Sequence, residues 1–325
     1  MGEPTGRARM DEVFGIPEAL RGERLDRALA LLTGLSRSEV NDLIDAGQVH
    51  LGSRPVTARS RRLQPGEEVV VVGGTARAAR DTPAAQAEVV FEVVWSDQDV
   101  VVVDKPAGLV VHPGSGNSQG TLVNGLLARF PDMADSFSGS EEPERPGVVH
   151  RLDKGTSGLL VFARHPKALT FLQQQMADRS AGREYLALVA GDLDSDSGLI
   201  DAPLGRSPND PVRMQVQAGG RRARTGYEVV ERFGSPSPCC LVRCRLETGR
   251  THQIRVHFAS IGHPVIGDDR YGTARRAAGE PLPAGRQFLH AALLSFDHPS
   301  TGERLTFESQ LPGDLSSVLS DLRGR

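Results

Sequence analysis

A short polar segment between two apolar runs constrains this chain more than any other feature. Residues 148–149 precede the segment and residues 159–162 follow it, and both runs have the composition of buried strands. The intervening residues 150–158 are rich in Arg, Lys, Thr, Ser and Gly and contain a single carboxylate, Asp153. Because Asp is unfavourable inside strands and common in turns, the pattern places Asp153 in a turn. Spacing alone leaves two interpretations open, a turn residue that caps its own backbone and a catalytic group.

The order of strands and helices along most of the chain predicts an α+β fold. Helices are predicted at 121–129, 166–178 and 254–261. Strands are predicted at 89–95, 100–103, 148–149, 159–163, 185–190, 227–233, 240–246 and 305–308. The strands come in runs and do not alternate strictly with helices, so we expect a mixed, largely antiparallel sheet.

The N-terminal region predicts a small α/β module. Leu25, Ala28, Leu29 and Leu32 recur at helical spacing, and Gly34 is expected to end that helix. A capping box over 36–39 and two strands at 49–51 and 69–72 follow.

Domain boundaries follow from shifts in composition. Residues 1–18 are polar and interrupted by Gly and Pro, which predicts a poorly ordered tail. Residues 75–87 are small, polar and non-periodic, which predicts a linker. The module would then span 19–74 and the large domain 88–325, and we expect the two to be separable.

The overall charge does not indicate a partner, because 38 Lys and Arg residues are nearly balanced by 41 Asp and Glu residues, for a net charge of −3. The distribution is less even, since residues 213–224 contain four arginines and no acidic residue. Such a stretch can bind phosphate even when the whole protein is acidic. The alternative is a solvated surface in a chain that uses Arg in preference to Lys.

Cysteine usage and motifs predict neither a metal site nor a cofactor. Cys239, Cys240 and Cys244 are odd in number and lie in an alternating apolar strand, which favours buried thiols over disulfides or zinc. His252 and His257 are five residues apart, which does not match a helical metal pair. No dinucleotide or phosphate-loop motif is present in the sequence.

Two further exclusions concern glycosidases and membranes. A glycosidase would need a second carboxylate, and the only competitors, Asp268 and Asp269, have the pattern of a turn. No apolar run approaches 18 residues, and residues 1–11 lack the pattern of a signal peptide. We therefore expect a soluble, cytoplasmic protein.

The segment GVVHRLDKGTSG at 147–158 resembles the signature of the RNA pseudouridine synthases, in the branch that acts mainly on large ribosomal RNA. Four further segments resemble the same family in the expected order. They are DKPAGLVVHP at 104–113, REYLA at 183–187, TGRTHQIRVH at 248–257 and LHA at 289–291. The family more often has Asn at the position of Asp104. The resemblance covers nearly the whole chain.

The resemblance implies a role for five residues. Asp153 would be the catalytic carboxylate, Tyr185 would pack on the target base, and Arg255 would pair with Asp153. Arg151 and Leu289 would line the substrate pocket. Taken alone, Tyr185 would be interpreted as a core aromatic and Arg255 as part of a surface ion pair. An arginine opposite the carboxylate would hold its orientation and keep it ionised.

The N-terminal module resembles the small RNA-binding domain first described in a ribosomal small-subunit protein. The matching segments are RLDRAL at 24–29, SRSEVNDLIDAGQVHLGSR at 36–54 and LQPGEEV at 63–69. The resemblance implies that Arg24, Arg27, Arg37 and Arg54 are presented to structured RNA. A purely structural module is the alternative.

The reaction implied by the resemblance suits these residue types. Pseudouridine formation breaks the bond from uracil nitrogen to ribose, turns the base, and rejoins it through carbon 5. No atom is gained or lost, so we expect no metal or nucleotide cofactor. We predict an RNA pseudouridine synthase, acting as a monomer on structured RNA, with large-subunit ribosomal RNA favoured and transfer RNA open. The alternative is a non-catalytic RNA-binding factor in ribosome assembly; the trio of Asp153, Tyr185 and Arg255 favours the enzyme.

Overall fold

The computed structural model describes residues 11–72 and 82–324, apart from several positions within these ranges. Those positions are 34, 36, 115, 116, 118, 139, 141, 209, 211, 212, 236 and 273–281. The chain divides into two compact units, Met1–Arg80 and Asp81–Arg325. Among the described helices, none combines the length and the apolar character needed to cross a membrane.

The first unit is a small antiparallel sheet with two helices. The helices are α1 (Leu25–Thr33) and α2 (Arg37–Asp45), and a short 3-10 helix covers Glu18–Leu20. The strands are β1 (Glu12–Gly15), β2 (Val49–Leu51), β3 (Arg54–Pro55) and β4 (Glu68–Val71), in the order β1-β4-β2-β3. The apolar faces of both helices and of the sheet form one core, in which Leu25, Leu29, Val40, Ile44 and Val69 are almost completely buried. The predicted helix-ending Gly34 and helix-capping Ser36 lie outside the described residues.

The structure corrects the prediction of a poorly ordered tail over 1–18 for residues 11–18, whereas residues 1–10 lie outside the described part of the chain. Strand β1 pairs with β4, with Glu12 opposite Val71 and Phe14 opposite Val69. Phe14 and Ile16 contribute to the core of this unit. The sequence did not reveal the strand because it is only four residues long and its pairing partner lies more than 50 positions later.

The second unit is built on a nine-stranded sheet. Its strands are β5 (Glu92–Ser96), β6 (Val100–Lys105), β7 (Ser157–Ala163), β8 (Gly182–Ala190), β9 (Ser197–Asp201), β12 (Arg224–Phe233), β13 (Cys239–Leu246), β14 (Leu289–Asp297) and β15 (Arg304–Glu308). The strand order is β5-β6-β7-β14-β8-β13-β12-β9, and β15 pairs with β14. All pairs are antiparallel except β7 with β14. The predicted α+β class with a mixed, largely antiparallel sheet is confirmed.

The remaining elements of this unit are five helices and a separate two-stranded hairpin. The hairpin consists of β10 (Leu204–Arg206) and β11 (Met214–Val216), and the helices are α3 (Leu122–Arg129), α4 (Asp132–Ser136), α5 (Pro166–Asp178), α6 (Gln253–Ser260) and α7 (Gly313–Arg323). The start of α3 is fixed by a capping box between Thr121 and Asn124. Helix α5 starts with Pro166 in its first turn and His165 as N-cap.

Three differences from the predicted elements are informative. Strand β14, at the centre of the sheet, was not predicted, because its near-continuous apolar run resembles a buried helix as much as a strand. Residues 148–149 do not form a strand; Val148 makes a single bridge to Phe162.

The third difference concerns the predicted linker. The carbonyl of Ala84 and the side chain of Gln86, both in this linker, accept hydrogen bonds from the N-terminal end of α3. The ordered structure of the second unit therefore begins before residue 88, and residues 73–81 lie outside the described part of the chain.

Gly158 marks the parallel crossing of β7 and β14, where it lies opposite Ala291. Its φ is +112°, and an added Cβ would lie 2.3 Å from the carbonyl oxygen of Ala291. Only glycine permits both the backbone angle and the close approach of the two strands. The turn that carries Asp153 enters β7 through this position.

We predict that Gly158→Ala strongly destabilises the second unit, because it adds a backbone clash to an unfavourable φ. Gly302→Ala is the matched control, since Gly302 has φ +70° and no atom within 4 Å of the added Cβ. The control should lose about 1 kcal/mol and Gly158→Ala at least about 3 kcal/mol of stability. Thermal unfolding followed by circular dichroism measures both; equal shifts of the two midpoints would contradict the close-approach argument.

Candidate active site

The five residues proposed from the sequence for the catalytic domain line one pocket of about 550 Å³. They are Arg151, Asp153, Tyr185, Arg255 and Leu289. The turn before β7 supplies Arg151 and Asp153, β8 supplies Tyr185, α6 supplies Arg255 and β14 supplies Leu289. A cavity of this volume is in the usual range for a small-molecule or single-nucleotide site.

The pairing predicted between Arg255 and Asp153 is present in the structure. Nη1 of Arg255 donates to Oδ2 of Asp153 at 2.9 Å, across 102 positions of sequence. The side chain of Arg255 is 7% exposed and that of Asp153 is 16% exposed. The ion pair is therefore largely withdrawn from water.

A second carboxylate, Asp268, holds the rest of the same guanidinium. Nε and Nη2 of Arg255 donate to Oδ2 and Oδ1 of Asp268 at 2.6 and 2.9 Å. Asp268 also accepts the backbone N–H groups of Arg270 and Tyr271, and its side chain is fully buried. Such a bidentate contact fixes the plane of the guanidinium and leaves Nη1 for Asp153.

The electrostatics of this cluster keep its members charged. Burial favours a lower pKa for Arg255, but the hydrogen bonds that it donates to Asp268 and the charge of Asp153 outweigh burial and raise the pKa. Burial favours a higher pKa for Asp268, but the bonds from Arg255 outweigh it and lower the pKa. Both partners are therefore ionised at neutral pH.

The turn that leads into α6 is fixed by the side chain of Gln253. Its Oε1 accepts from Thr248 Oγ1 and from the N–H of Arg250, at 2.7 and 3.0 Å. Its Nε2 donates to the carbonyl of Arg224 and to Thr225 Oγ1, at 2.9 and 3.0 Å. The four hydrogen bonds of this one buried amide thus hold residues 248–252 against β12. They fix the start of α6, the helix that carries Arg255.

The turn that carries Asp153 is held by two buried basic side chains, Lys105 and Arg286. Nζ of Lys105 donates to the carbonyls of Pro106, Leu109 and Lys154, at 2.8, 2.9 and 3.3 Å. Burial lowers the pKa of Lys105 to about 7. Nη1 of Arg286 donates to the carbonyl of Gly155 at 2.7 Å. These bonds hold the backbone that directly follows Asp153, at Lys154 and Gly155.

Tyr185 and Leu289 occupy neighbouring strands beside this turn. Strand β8 pairs with β14, with Ala187 opposite Leu289 and Tyr185 opposite Ala291. Tyr185 is 6% exposed and belongs to the main core cluster while it also lines the pocket. Burial raises the pKa of Tyr185, so the phenol is neutral at physiological pH. The interpretations as core aromatic and as pocket residue therefore apply to the same side chain.

Sequence reasoning missed three residues of the site. Asp268 was assigned to a turn, which is correct for its backbone but omits the bonds of its side chain to Arg255. His252 was considered only as half of a metal pair, yet its Nε2 lies 3.8 Å from Oδ1 of Asp153. Tyr271 hydrogen-bonds to His252 and packs on Arg255, whose Cζ lies 5.1 Å from the ring centroid. Linear spacing gave no signal for these contacts, since each depends on how distant segments meet.

Several further arginines surround the mouth of the pocket. Arg179, Arg222 and Arg250 are exposed on its rim, and Arg183 is buried in its wall. Arg179 pairs with Glu247 at 3.0 Å. Exposed guanidinium groups suit a phosphate backbone, which they can bind by paired hydrogen bonds.

The arginines proposed in the first unit have different surroundings. Arg24 is held by the buried Asp26 through two bonds of 3.0 Å. Arg27 lies 3.5 Å from Glu23, and Arg54 is exposed on β3. The side chain of Arg37 lies outside the described part of the structure.

One other cluster has the composition of a metal site. Asp97, Asp99 and His298 lie close together between the β5–β6 and β14–β15 turns. Nδ1 of His298 accepts two backbone N–H groups, so its Nε2 carries the proton and donates to Asp97 at 2.7 Å. His165 is bonded in the same way, with Nδ1 accepting from α5 and Nε2 lying 2.7 Å from Asp99. These hydrogen bonds already account for the placement of the cluster and connect two turns of the sheet.

Comparison with known proteins agrees with this geometry. A family model for RNA pseudouridylate synthase matches residues 99–260, and a model for the S4 domain matches residues 23–69. The chain is 43% identical over 316 residues to ribosomal large subunit pseudouridine synthase D of Nitrosomonas europaea, covering 95% of this chain and 87% of that protein. It is 42% identical over 307 residues to an uncharacterized RNA pseudouridine synthase of Bacillus subtilis, covering 94% and 96%.

A solved structure supports the same assignment. The human protein RNA pseudouridylate synthase domain containing 1 has 25% identity and a TM-score of 0.53, over 73% of this chain and 96% of that one. The relatives named above match over most of their own length, so the similarity includes both the catalytic fold and the N-terminal module. The chain therefore belongs to the RNA pseudouridine synthase family, isomerases that act on RNA, and carries an N-terminal S4 domain.

Proposed function

We propose that the protein isomerises uridines of large-subunit ribosomal RNA to pseudouridine, with Asp153 as the catalytic carboxylate. The observation that carries the proposal is the pairing of Asp153 with Arg255 on the wall of a nucleotide-sized pocket. The reaction requires an ionised carboxylate next to the glycosidic bond, as a nucleophile or as a base on the ribose. The guanidinium of Arg255 holds the carboxylate in place on the wall of this pocket.

The proposed roles of the neighbouring residues follow from their positions. Tyr185 offers an aromatic face beside Asp153, against which an extruded uracil can stack. Leu289 supplies an apolar wall, and Arg151 is exposed at the edge of the pocket. Asp268 would act through Arg255, by fixing the guanidinium in the plane that Asp153 needs. Because one chain supplies all of these residues, the proposed site functions in a monomer.

The choice of RNA rests on the relatives and on charge. Several relatives are named as synthases of the large ribosomal subunit, such as that of Xanthomonas campestris, which is 43% identical over 317 residues. The exposed arginines at the rim and the S4 domain favour a structured, phosphate-rich substrate. Incubation of the protein with large-subunit ribosomal RNA and with transfer RNA, followed by carbodiimide mapping of pseudouridine, tests the choice. Modification of transfer RNA alone would overturn the proposed substrate, and modification of neither would favour the assembly-factor alternative.

We predict that Asp153→Asn abolishes turnover and leaves RNA binding almost unchanged. The amide keeps the shape and one hydrogen-bond acceptor for Arg255, but it is neither a nucleophile nor a base. Single-turnover assays and a binding titration should show a loss of rate of at least about 1,000-fold with a Kd within about threefold of the wild type. A variant that retains more than a few per cent of activity would exclude the central role of Asp153.

We predict that Asp268→Asn lowers both activity and stability, although Asp268 does not itself line the pocket. The amide can accept only one of the two guanidinium bonds and leaves a buried charge partly uncompensated. We expect a loss of about 3 kcal/mol in the free energy of unfolding and a rate at least about tenfold lower. Asp269→Asn is the matched control, because Asp269 is exposed next to it. Equal behaviour of the two variants would mean that the orientation of Arg255 does not depend on Asp268.

We predict that deletion of residues 1–80 weakens RNA binding and leaves a folded catalytic unit. Each lost phosphate contact should lower the slope of log affinity against log salt by roughly 0.7–0.9. Arg54→Ala should lower this slope by about the amount of one phosphate contact, because Arg54 is exposed. Arg24→Ala should change it less, because Arg24 is paired with Asp26. An unchanged slope after the deletion would show that the S4 domain does not contact RNA, and the arginines of 213–224 would become the better candidates.

A further inference from the structure

His252 occupies an unusual position between the catalytic turn and α6. It is the N-cap of α6 and adopts left-handed backbone angles, φ 56° and ψ 23°. Its side chain is 15% exposed, and its Nε2 lies 3.8 Å from Oδ1 of Asp153. Arg255 holds the other oxygen of the same carboxylate, Oδ2. The two oxygens of Asp153 therefore face two different nitrogen groups.

The hydrogen bonds of Tyr271 determine which nitrogen of His252 carries the proton. The phenol oxygen of Tyr271 accepts the backbone N–H of Met214 at 2.9 Å. The same oxygen lies 2.7 Å from Nδ1 of His252. Because the phenol oxygen already accepts from Met214, its single O–H is available to donate to Nδ1, and in this arrangement the imidazole proton resides on Nε2. The N–H of Nε2 then points to the side of Asp153.

We propose that His252 is a positioning residue, whose Nε2–H binds Oδ1 of Asp153 when RNA fills the pocket and so fixes the plane of the carboxylate. The proposal rests on the proposed catalytic role of Asp153. A separation of 3.8 Å is too long for a hydrogen bond, but contacts between catalytic groups commonly shorten when substrate binds. Tyr271 is the residue that keeps His252 in the required tautomer.

The charges around the site explain why a neutral donor is suited to this position. Burial lowers the pKa of His252. The charges of Asp153 and Asp268 raise this pKa and those of Arg255 and Arg270 lower it, and the net shift is downward. The ring is therefore neutral at physiological pH. A neutral N–H orients the carboxylate of Asp153 without placing a second positive charge next to it. With Arg255 as its only charged partner among the described residues, the carboxylate remains the better nucleophile or base.

Two substitutions of His252 separate positioning from a structural role. In His252→Gln the amide nitrogen takes the place of Nε2 and can still donate to Asp153. In His252→Asn the shorter amide takes the place of Nδ1 and can still bond to Tyr271, but it does not reach Asp153. Asn tolerates left-handed backbone angles better than Gln. We therefore expect Asn to give the more stable protein and Gln to give the more active one.

The first experiment compares kcat, KM and the thermal midpoint for wild type and both variants on large-subunit ribosomal RNA. We expect kcat to fall about 10- to 100-fold in His252→Asn and to stay within about threefold of wild type in His252→Gln, with KM changed less than about threefold in both. If activity instead follows stability, with Asn more active than Gln, the proposal is overturned. A loss that appears in KM alone would also overturn it, because it would place His252 in RNA binding.

The second experiment observes the tautomer directly in the full chain without RNA. Nitrogen-15 NMR of histidine-labelled protein, with the signal assigned by its absence from His252→Asn, should show protonated Nε2 and unprotonated Nδ1. Tyr271→Phe should shift this signal towards the opposite tautomer and lower kcat about 3- to 10-fold. A protonated Nδ1 in the wild type would overturn the proposal. This measurement does not depend on activity, so it tests the tautomer of His252 separately from the proposed function. Failure of the proposed function would show instead as a wild type that is inactive on RNA.

Discussion

The structure of the site depends on one guanidinium shared by two carboxylates. Arg255 binds Asp268 through two bonds and Asp153 through one, so all three of its nitrogen atoms are used. A buried charge without partners is costly, so each carboxylate requires the arginine and the arginine requires them. Asp268 is buried and fixed by its own backbone contacts, whereas Asp153 faces the pocket. One carboxylate is therefore structural, and the other is left available for chemistry.

Two buried basic side chains hold the backbone next to Asp153. The buried basic side chains of Lys105 and Arg286 donate to backbone carbonyls that follow Asp153, while the carboxylate of Asp153 binds Arg255. Arg286 also binds Ser157 and Asp314, which connects the catalytic turn to α7 near the end of the chain. Segments that are far apart in sequence thus meet at one turn. The turn that carries Asp153 is therefore held by segments that contribute no reactive group.

The sequence was most informative where the residues of a functional motif are adjacent in the chain. The segment at 147–158 placed Asp153 in a turn, and the alternation of apolar residues gave most strands and helices. It was least informative where a contact depends on distant chain segments. Strand β1, strand β14 and the contacts of Asp268 and His252 all arise from such meetings. Asp268 illustrates the limit: its turn was recognisable from neighbouring residues, but its partner Arg255 lies in the preceding helix, and only the packed fold shows that the two side chains converge.

The arrangement of charge also constrains how a substrate approaches. The exposed arginines Arg179, Arg222 and Arg250 line the same pocket as Asp153. A polyanion is attracted to such exposed positive charge. A pocket of about 550 Å³ has room for a nucleotide but not for a helix. A uridine must therefore leave its stack to reach Asp153, and loops or weakened helices, where extrusion costs least, are the substrates that this geometry favours.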